Sequence, residues 1–359
     1  MDLGPRISED ASCVIGAATS AMRPDRILLG WLLLMGVVVF GAVWDAADDE
    51  RRPAITWLEQ TREGAQSFAS AVMNGDVEGI GTGVLGFLVE PTMHAWWHAR
   101  SFLVIGALLV GALVAIFGTA LIRMDVARLV FDRDVGLVTA VGHAGRIWRR
   151  TYGTLILAPV LALILLSPLV VVGLIAAIPG ISLLLSLIWG ILLLPAFAAA
   201  LVTVCWLIAL PILSGAMALE VGDPVENVIR SFVLVRRRPV VFCVLILVAL
   251  VTLLVGWLIV SAIAAITVHY LNAASGFFLS ATPEGPAVTW PGLVAVWSGE
   301  DRPRGWSDSL VGFWTSLVVS LAWAWAVVAM LQFSGRMYLV LRRAVERLPL
   351  DELDDVEAQ

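Results

Sequence analysis

Lysine is absent from this chain of 359 residues, and charged side chains of any kind are scarce. Only 14% of the residues are charged, against about 25% in an ordinary soluble domain. In contrast, 60% are hydrophobic and the mean hydropathy is +0.92. A water-soluble fold could not hide that much apolar surface. Because the apolar runs reach the length of membrane-crossing helices, the composition predicts an all-α membrane protein without a soluble domain.

Cysteine and histidine are also rare, with three and four residues respectively. The cysteines lie far apart in the sequence, which excludes a disulfide framework and a C-x-x-C metal site. The net charge of −6 and the pI of about 5.3 give no general attraction to nucleic acid. Nucleotide-binding and nucleophile motifs are missing, and the glycines of residues 79–86 follow no strand. We therefore expect no cofactor, no nucleic-acid partner and no enzymatic activity.

Six apolar runs are candidates for transmembrane helices. A helix of 18 residues is about 27 Å long, close to the hydrocarbon core of about 30 Å. The predicted spans are residues 27–44, 101–122, 151–177, 191–219, 239–270 and 309–341. We expect a polar N-terminal segment over 1–26 and an acidic outer segment over 45–100 with one or two amphipathic helices on the membrane surface. An acidic, disordered tail is expected over 346–359.

The distribution of arginine predicts which connections face the cytoplasm. The two connections that flank residues 151–219 are both rich in arginine, so they should share one side, separated by an even number of crossings. Assigning the arginine-rich segments to the inside places 17 of the 23 arginines there. These inner segments are residues 1–26, 123–150, 220–238 and 336–359. We therefore predict six spans with both termini in the cytoplasm.

The tract 151–219 contains no charged residue and no histidine. We predict two spans here, with a turn near Ile178-Pro179-Gly180 and a tilted or partly re-entrant segment over 181–194. Prolines at positions 159, 168, 179, 195 and 211 punctuate the tract. Broken helices near the midplane form the substrate sites of many transporters, whereas kinks satisfied by neighbouring helices are the structural alternative.

A short elbow helix is predicted between the fourth and fifth spans. Asp223 suits the N-cap, Pro224 suits the first helical position, and Glu226 lies at the capping-box distance. The helix should run to about Val235 in the inner membrane interface, with an i, i+4 pair between Glu226 and Arg230. Its apolar face is expected to consist of Val225, Val228, Ile229, Phe232 and Val235.

Residues 138–150 look like a weaker copy of this elbow, with Arg149-Arg150 aligned on Arg236-Arg237. Two elbow-plus-span units would form an internal repeat. Their arginines are candidates for binding anionic lipid headgroups, each charge contributing about 1 kcal/mol near the surface. Ordinary positive-inside anchoring is the alternative. The candidate side chains are Arg146, Arg149, Arg150, Arg230, Arg236, Arg237 and Arg238.

Several short motifs resemble those of an uncharacterised family of bacterial multi-pass membrane proteins. They are Glu220-x-x-Asp223, Arg230-Ser231, Arg238-Pro239 and Gly335-Arg336-Met337-Tyr338 followed by Arg342-Arg343. The family is similar to the membrane domain attached to some glycerophosphodiester phosphodiesterases, although no phosphodiesterase domain is present in this chain. The resemblance covers roughly residues 100–345. It implies a location in the bacterial cytoplasmic (inner) membrane and no assigned activity.

Glu90, His94 and His98 recur every four residues at the outer edge of the second predicted span. A helix would place them on one face, and histidines four residues apart can share a metal ion. The Glu-x-x between the histidines that a zinc hydrolase motif needs is missing. We therefore predict no metal site here, while a metal enzyme built on these three residues is retained as a third hypothesis.

The polar residues of the predicted spans are the last clue to function. None of the six apolar cores holds an ionisable side chain, whereas proton- and ion-coupled transporters usually keep one there. Together with the arginine-bearing elbows, this favours a non-enzymatic scaffold that organises membrane lipids or a partner membrane protein. The expected lipids carry anionic headgroups on the inner face. A transporter or lipid-translocating permease that uses broken helices in 151–219 is the alternative.

Overall fold

The structure is a computed structural model that describes residues 4–48, 50–76, 79, 82–83, 86, 90–176, 182–220, 222–279 and 306–346. Every regular element among these residues is helical. The helices are α1 Gly4–Ser20, α2 Pro24–Ala47, α3 Pro53–Asn74, α4 Glu90–His98, α5 Arg100–Leu113, α6 Thr119–Phe131, α7 Leu137–Ala176, α8 Ser182–Leu219, α9 Pro224–Arg237, α10 Pro239–Leu279 and α11 Trp306–Glu346. A π turn, Val114–Gly118, connects α5 to α6. The all-α prediction is confirmed.

Six helical segments in the described part of the chain are long and apolar enough to cross a membrane. They are Pro24–Ala47, Arg100–Phe131, Leu137–Val172, Leu193–Leu219, Pro239–Tyr270 and Ser316–Glu346. The chain is therefore a polytopic membrane protein, as its composition predicted. Its contacts divide it into two compact units. Unit 1 comprises Met1–Arg26, Val114–Leu253 and Val328–Gln359, and unit 2 comprises Ile27–Leu113 and Leu254–Val327.

Aromatic packing and a close helix contact hold unit 2 together. The ring of Phe40 on α2 stacks on Phe102 of α5, with centroids 5.8 Å apart. A Cβ atom added to Gly256 on α10 would lie only 2.3 Å from the Trp325 ring of α11. Trp31 Nε1 donates a hydrogen bond of 2.9 Å to the Ser320 hydroxyl.

Unit 1 is built around the C-terminal half of α11. A Cβ atom added to Gly335 would lie 2.7 Å from Ile122 of α6, and Gly118 approaches Leu331 one turn earlier. Since both residue numbers rise together, α6 and α11 run in the same direction. Gly215 of α8 likewise meets the Ser334 carbonyl and Tyr338. This agrees with α6, α8 and α11 ending the second, fourth and sixth of six alternating spans.

The outer surface of the spanning helices is strongly apolar. Helix α10 exposes large aliphatic side chains along most of its length, a surface that hydrocarbon would cover favourably and water would not. They are Val240, Val244, Leu247, Leu250, Val251, Leu254, Val255, Leu258, Ile259, Ile263 and Ile266. In contrast, most of α11 from Val328 to Leu341 is buried.

The polar connection predicted over 124–150 is mostly helical. Helix α6 continues to Phe131, where Asp132 ends it in a left-handed conformation with φ 51°, and α7 begins at Leu137. Helix α7 then runs without a break through Arg149 and Arg150 into the third span. The prediction of a separate elbow helix over 138–150 was therefore wrong, and only α9 forms such an element.

The tract 151–219 forms two helices that continue through their prolines. Pro159 and Pro168 lie inside α7, and Pro195 and Pro211 lie inside α8. Residues 182–194, expected to be tilted or re-entrant, form the start of α8, in which the backbone bonds stay within the helix. The predicted turn at Ile178-Pro179-Gly180 lies outside the described residues.

The segments outside the spans also contain helices. The polar N-terminal segment is mainly α1, which belongs to unit 1. The outer segment 45–100 holds α3 and α4, and the carboxylate of Asp45 accepts hydrogen bonds from the backbone N–H groups of Ala54 and Ile55 at the start of α3. The tail beyond Glu346 lies outside the described residues.

Candidate functional site

A buried carboxylate lies at the centre of unit 1. Both Asp125 on α6 and Arg26 on α2 have side chains that are 1% exposed. Arg26 Nη1 donates to Asp125 Oδ1 at 2.8 Å, and Arg336 of α11 donates through Nε at 2.7 Å and Nη2 at 2.8 Å. The hydroxyl of Ser20 also donates to this carboxylate. Asp125 thus joins four parts of the chain, and we call Arg26, Asp125 and Arg336 the buried triad.

Backbone carbonyls bind further donors of the triad, whereas the buried Arg26 Nε has no hydrogen-bond partner among the described residues. Arg336 Nη1 donates to the carbonyl oxygen of Cys13 at 2.7 Å, and Arg26 Nη2 donates to that of Met124 at 3.2 Å. Burial raises the pKa of the Cys13 thiol, so this residue stays neutral beside the triad. These bonds fix α1 against α6 and α11. Such contacts stabilise otherwise unfavourable buried charges.

Ionisable side chains of the triad belong to the spanning helices, although none was expected in their apolar cores. Asp125 and Arg336 lie within helical segments that qualify as candidate spans. The apolar run of the second span stops before Asp125, and the arginine count assigns Arg336 to the inner end of the sixth span. The helices continue past the apolar runs because each charge finds an opposite charge in unit 1.

A second ion cluster joins α8, α9 and the end of α11. Arg230 donates through Nη1 to Glu220 Oε2 at 2.7 Å and through Nη2 to Glu346 Oε1 at 2.7 Å. Arg342 contacts both acids, with Nη1 3.0 Å from Glu220 Oε1 and Nε 3.0 Å from Glu346 Oε2. Tyr338 donates its hydroxyl proton to Glu220. We call these five residues the tether cluster.

The tether cluster contains several residues on which the family resemblance was based. Glu220, Arg230, Tyr338 and Arg342 come from three separate motifs and meet here. Burial acts to lower the pKa of Arg230, but the hydrogen bond with Glu346 and the neighbouring negative charges outweigh it, so this pKa is raised. The arginine stays charged and holds α9 against α11.

Helix α9 begins as predicted and packs mainly through residues outside its predicted apolar face. Pro224 is its first residue and Asp223 occupies the N-cap position, although the Asp223 side chain makes no capping hydrogen bond. Arg230 pairs with the tether cluster, so the predicted pair with Glu226 was wrong. The buried residues of α9 are Asn227, Ser231, Leu234 and Val235. Of the predicted apolar face, Val225 (52%) and Ile229 (58%) are exposed, Val228 and Phe232 are half-buried, and Val235 is buried.

The seven candidate lipid-binding arginines fall into two groups. Arg230 belongs to the tether cluster, and Arg150 donates through Nε to the carbonyl oxygen of Gly222. The other five have exposed side chains, and no ion pair joins them to any residue that the structure describes. These five, the exposed arginines, are Arg146 and Arg149 on α7 and Arg236, Arg237 and Arg238 at the end of α9.

No protein-family model, curated protein or solved structure matches this chain. The similarity to the membrane domain of glycerophosphodiester phosphodiesterases therefore stays a prediction. The case for function depends on the geometry of unit 1 and on its exposed charges.

The metal hypothesis gains little from the geometry of α4. Glu90, His94 and His98 do share this helix, and the two imidazole rings stack with centroids 4.2 Å apart. His98 Nδ1 donates to the carbonyl oxygen of His94 at 2.9 Å. Within the described ranges, no group of three His, Cys, Asp or Glu side chains is placed to hold a metal ion.

Five side chains in unit 1 have buried polar atoms without a hydrogen-bond partner among the described residues. The atoms are Arg26 Nε, the Thr119 hydroxyl, Trp206 Nε1 and both amide atoms of Asn227 and Gln332. Gln332 lies one helical turn before Arg336 on α11, so the two share a face of this helix. The sequence did not predict the triad or the shared polar face of Gln332 and Arg336. The spacing of four residues between these two side chains was the signal that could have indicated a polar face on α11.

Proposed function

We propose that this protein is a non-enzymatic membrane scaffold that organises anionic lipids, or a membrane protein partner, at the inner face of a bacterial cytoplasmic membrane. The observation that carries the proposal is the set of five exposed arginines. Arg146 and Arg149 lie near the start of the third candidate span, Arg236, Arg237 and Arg238 lie directly before the fifth, and none of them has an acidic partner among the described residues. Guanidinium groups bind phosphate oxygens in pairs, which suits them to lipid headgroups.

The placement of α9 supports this role. Its exposed aliphatic residues Val225 and Ile229 would enter the boundary between headgroups and acyl chains. Arg236, Arg237 and Arg238 follow at its C-terminal end, directly before α10 enters the membrane. A helix with an apolar surface and terminal cations binds anionic membranes through both.

The continuity of α7 and α8 supports a scaffold rather than a transporter. Transporter sites commonly use unwound backbone near the midplane, and both helices pass through their prolines without a break over the described residues. The inner location of both termini belongs to the same proposal. It is supported by the arginine distribution and by the parallel packing of α6, α8 and α11.

Replacing Arg236, Arg237 and Arg238 together by Gln is expected to weaken binding of phosphatidylglycerol by about 100-fold, because each lost charge near the surface contributes about 1 kcal/mol. Binding of zwitterionic phosphatidylcholine should not change. Native mass spectrometry of the full-length protein in detergent gives both affinities. The matched control replaces the same residues by Lys, which keeps the charges and should retain most of the binding.

Equal phosphatidylglycerol affinity in the Gln variant and the parent would overturn the lipid role of this cluster. A complementary experiment purifies the protein from native membranes and identifies the lipids and proteins that accompany it. Enrichment of anionic lipid or of one partner protein supports the scaffold. Bulk lipid composition without any partner contradicts it.

A further inference from the structure

We propose that Arg230 and Arg342 form a specific site for the phosphate group of an anionic lipid headgroup, and that the carboxylate of Glu346 occupies this site in the structure. The inference rests on the proposed lipid-binding function and adds a site and a mode of regulation to it. Glu346 would act as an internal competitor that lipid binding displaces.

The geometry of Glu346 is that of a phosphate surrogate. Its Oε1 accepts from Arg230 through Nη2 at 2.7 Å and through Nε at 3.2 Å, and its Oε2 accepts from Arg342 Nε at 3.0 Å. A phosphodiester likewise presents two unesterified oxygens that share one negative charge. Exchanging Glu346 for this group would keep both the hydrogen bonds and the charge balance of the tether cluster.

The other acid of the cluster would stay in place during the exchange. Glu220 is largely buried and accepts from Arg230, from Arg342 and from the Tyr338 hydroxyl. Its carboxylate binds one edge of the Arg230 guanidinium and one edge of the Arg342 guanidinium, and these contacts orient both groups. The remaining donors point to the position that Glu346 holds.

Glu346 is placed so that it can leave. It is the last residue of α11, and the final turn of a helix lacks part of its backbone hydrogen bonds. Its side chain is 22% exposed and that of Arg230 is 28% exposed, so the site reaches the surface. In contrast, the Asp125 carboxylate of the buried triad is only 1% exposed and has no access to the surface.

Displacement of Glu346 would have a consequence for α9. Arg230 is the residue through which the cluster holds this helix against α11. A phosphate bound in place of Glu346 would leave α9 attached to α8 through Glu220 and free the last turn of α11. Lipid binding and the mobility of that turn are therefore coupled in this proposal.

The test compares Glu346→Gln with Glu226→Gln in the full-length protein. Both changes remove one negative charge near Arg230, but Glu226 is exposed and lies outside the tether cluster. Removal of a competitor that fills the site nine-tenths of the time would raise the affinity for phosphatidylglycerol about tenfold. We expect this gain for Glu346→Gln, little change for Glu226→Gln, and loss of the gain when Arg342→Gln is added.

Each other outcome overturns the proposal. An unchanged affinity in Glu346→Gln excludes competition, and an equal gain in Glu226→Gln reduces the effect to general electrostatics. Inorganic phosphate that binds Glu346→Gln as tightly as the lipid would make free phosphate the ligand. In contrast, loss of binding in the Arg236–Arg238 variant is independent of Glu346, so failure of the site and failure of the scaffold are distinguishable.

A measurement on the unmodified protein does not depend on how the variants fold. Phosphatidylglycerol should increase the hydrogen exchange of backbone amides in the last turn of α11, whereas phosphatidylcholine should not. Unchanged or slower exchange in this turn with phosphatidylglycerol would contradict the displacement of Glu346.

Discussion

Asp125→Asn is expected to destabilise the folded protein by about 3–5 kcal/mol, because it leaves Arg26 and Arg336 buried without a negative partner. Neutral Asn can still accept a hydrogen bond, but it cannot offset two guanidinium charges. Unfolding in detergent, followed by intrinsic tryptophan fluorescence, measures the change. The N-terminal helix α1 should be released first, since it is bound to the triad through Ser20 and the Cys13 carbonyl.

Asp134→Asn is the matched control for this change. Asp134 also pairs with an arginine, with Arg23 Nη1 2.7 Å from its Oδ1, and the pair is exposed. Solvent screens exposed pairs, so the stability of this variant should stay close to that of the parent. Similar stability losses in the two variants, or none in Asp125→Asn, would refute the structural role of the triad.

Gly215→Ala is expected to destabilise unit 1 by about 1–3 kcal/mol through overpacking. The added Cβ would lie 2.6 Å from the Ser334 carbonyl oxygen, 2.7 Å from Tyr338 Cβ and 3.0 Å from Gly335 Cα. Backbone atoms cannot rotate away, so α8 and α11 must separate. This steric cost exceeds the gain of less than about 1 kcal/mol that alanine normally brings to a helix interior. The same unfolding measurement applies.

Gly145→Ala is the matched control, and we expect it to stabilise the protein rather than destabilise it. Among the described residues, no atom other than those of the local helix backbone and the two chain neighbours lies within 4 Å of a Cβ atom added at this position in α7, so only the helix propensity changes. The protein should become more stable by up to about 1 kcal/mol. If both alanine variants shifted stability in the same direction, the close contact of α8 with α11 would be in error.

The sequence predicted the number and order of the spanning helices because each apolar run is a local signal. It did not predict the buried triad. Asp125 lies 99 residues from Arg26 and 211 from Arg336, and no local pattern links residues so far apart. Arg336 also lies at the inner end of the sixth predicted span, where positive-inside anchoring explains its charge equally well.

The two predicted elbow helices differ in the local sequence signal that ends a helix, a proline directly after the arginines. At Arg238 the backbone leaves the helical region, with φ −137° and ψ 58°, because the following Pro239 disfavours a helical conformation there. No proline follows Arg149-Arg150 before Pro159, and α7 therefore continues. The sequence did not predict which residues of α9 pack inside, because Asn227 and Ser231 are polar and carry no local signal of burial.

Cysteine accessibility in oriented vesicles tests the central claim, that six crossings place both arginine-rich connections on one side of the membrane. In a background with Cys13, Cys205 and Cys243 replaced, single cysteines at Gly136, Asp223 and Asp76 are exposed at three connections. We expect Gly136→Cys and Asp223→Cys to react with an impermeant reagent only from the cytoplasmic side, and Asp76→Cys only from the opposite side. Labelling of Gly136→Cys and Asp223→Cys from opposite sides would contradict the six-span arrangement.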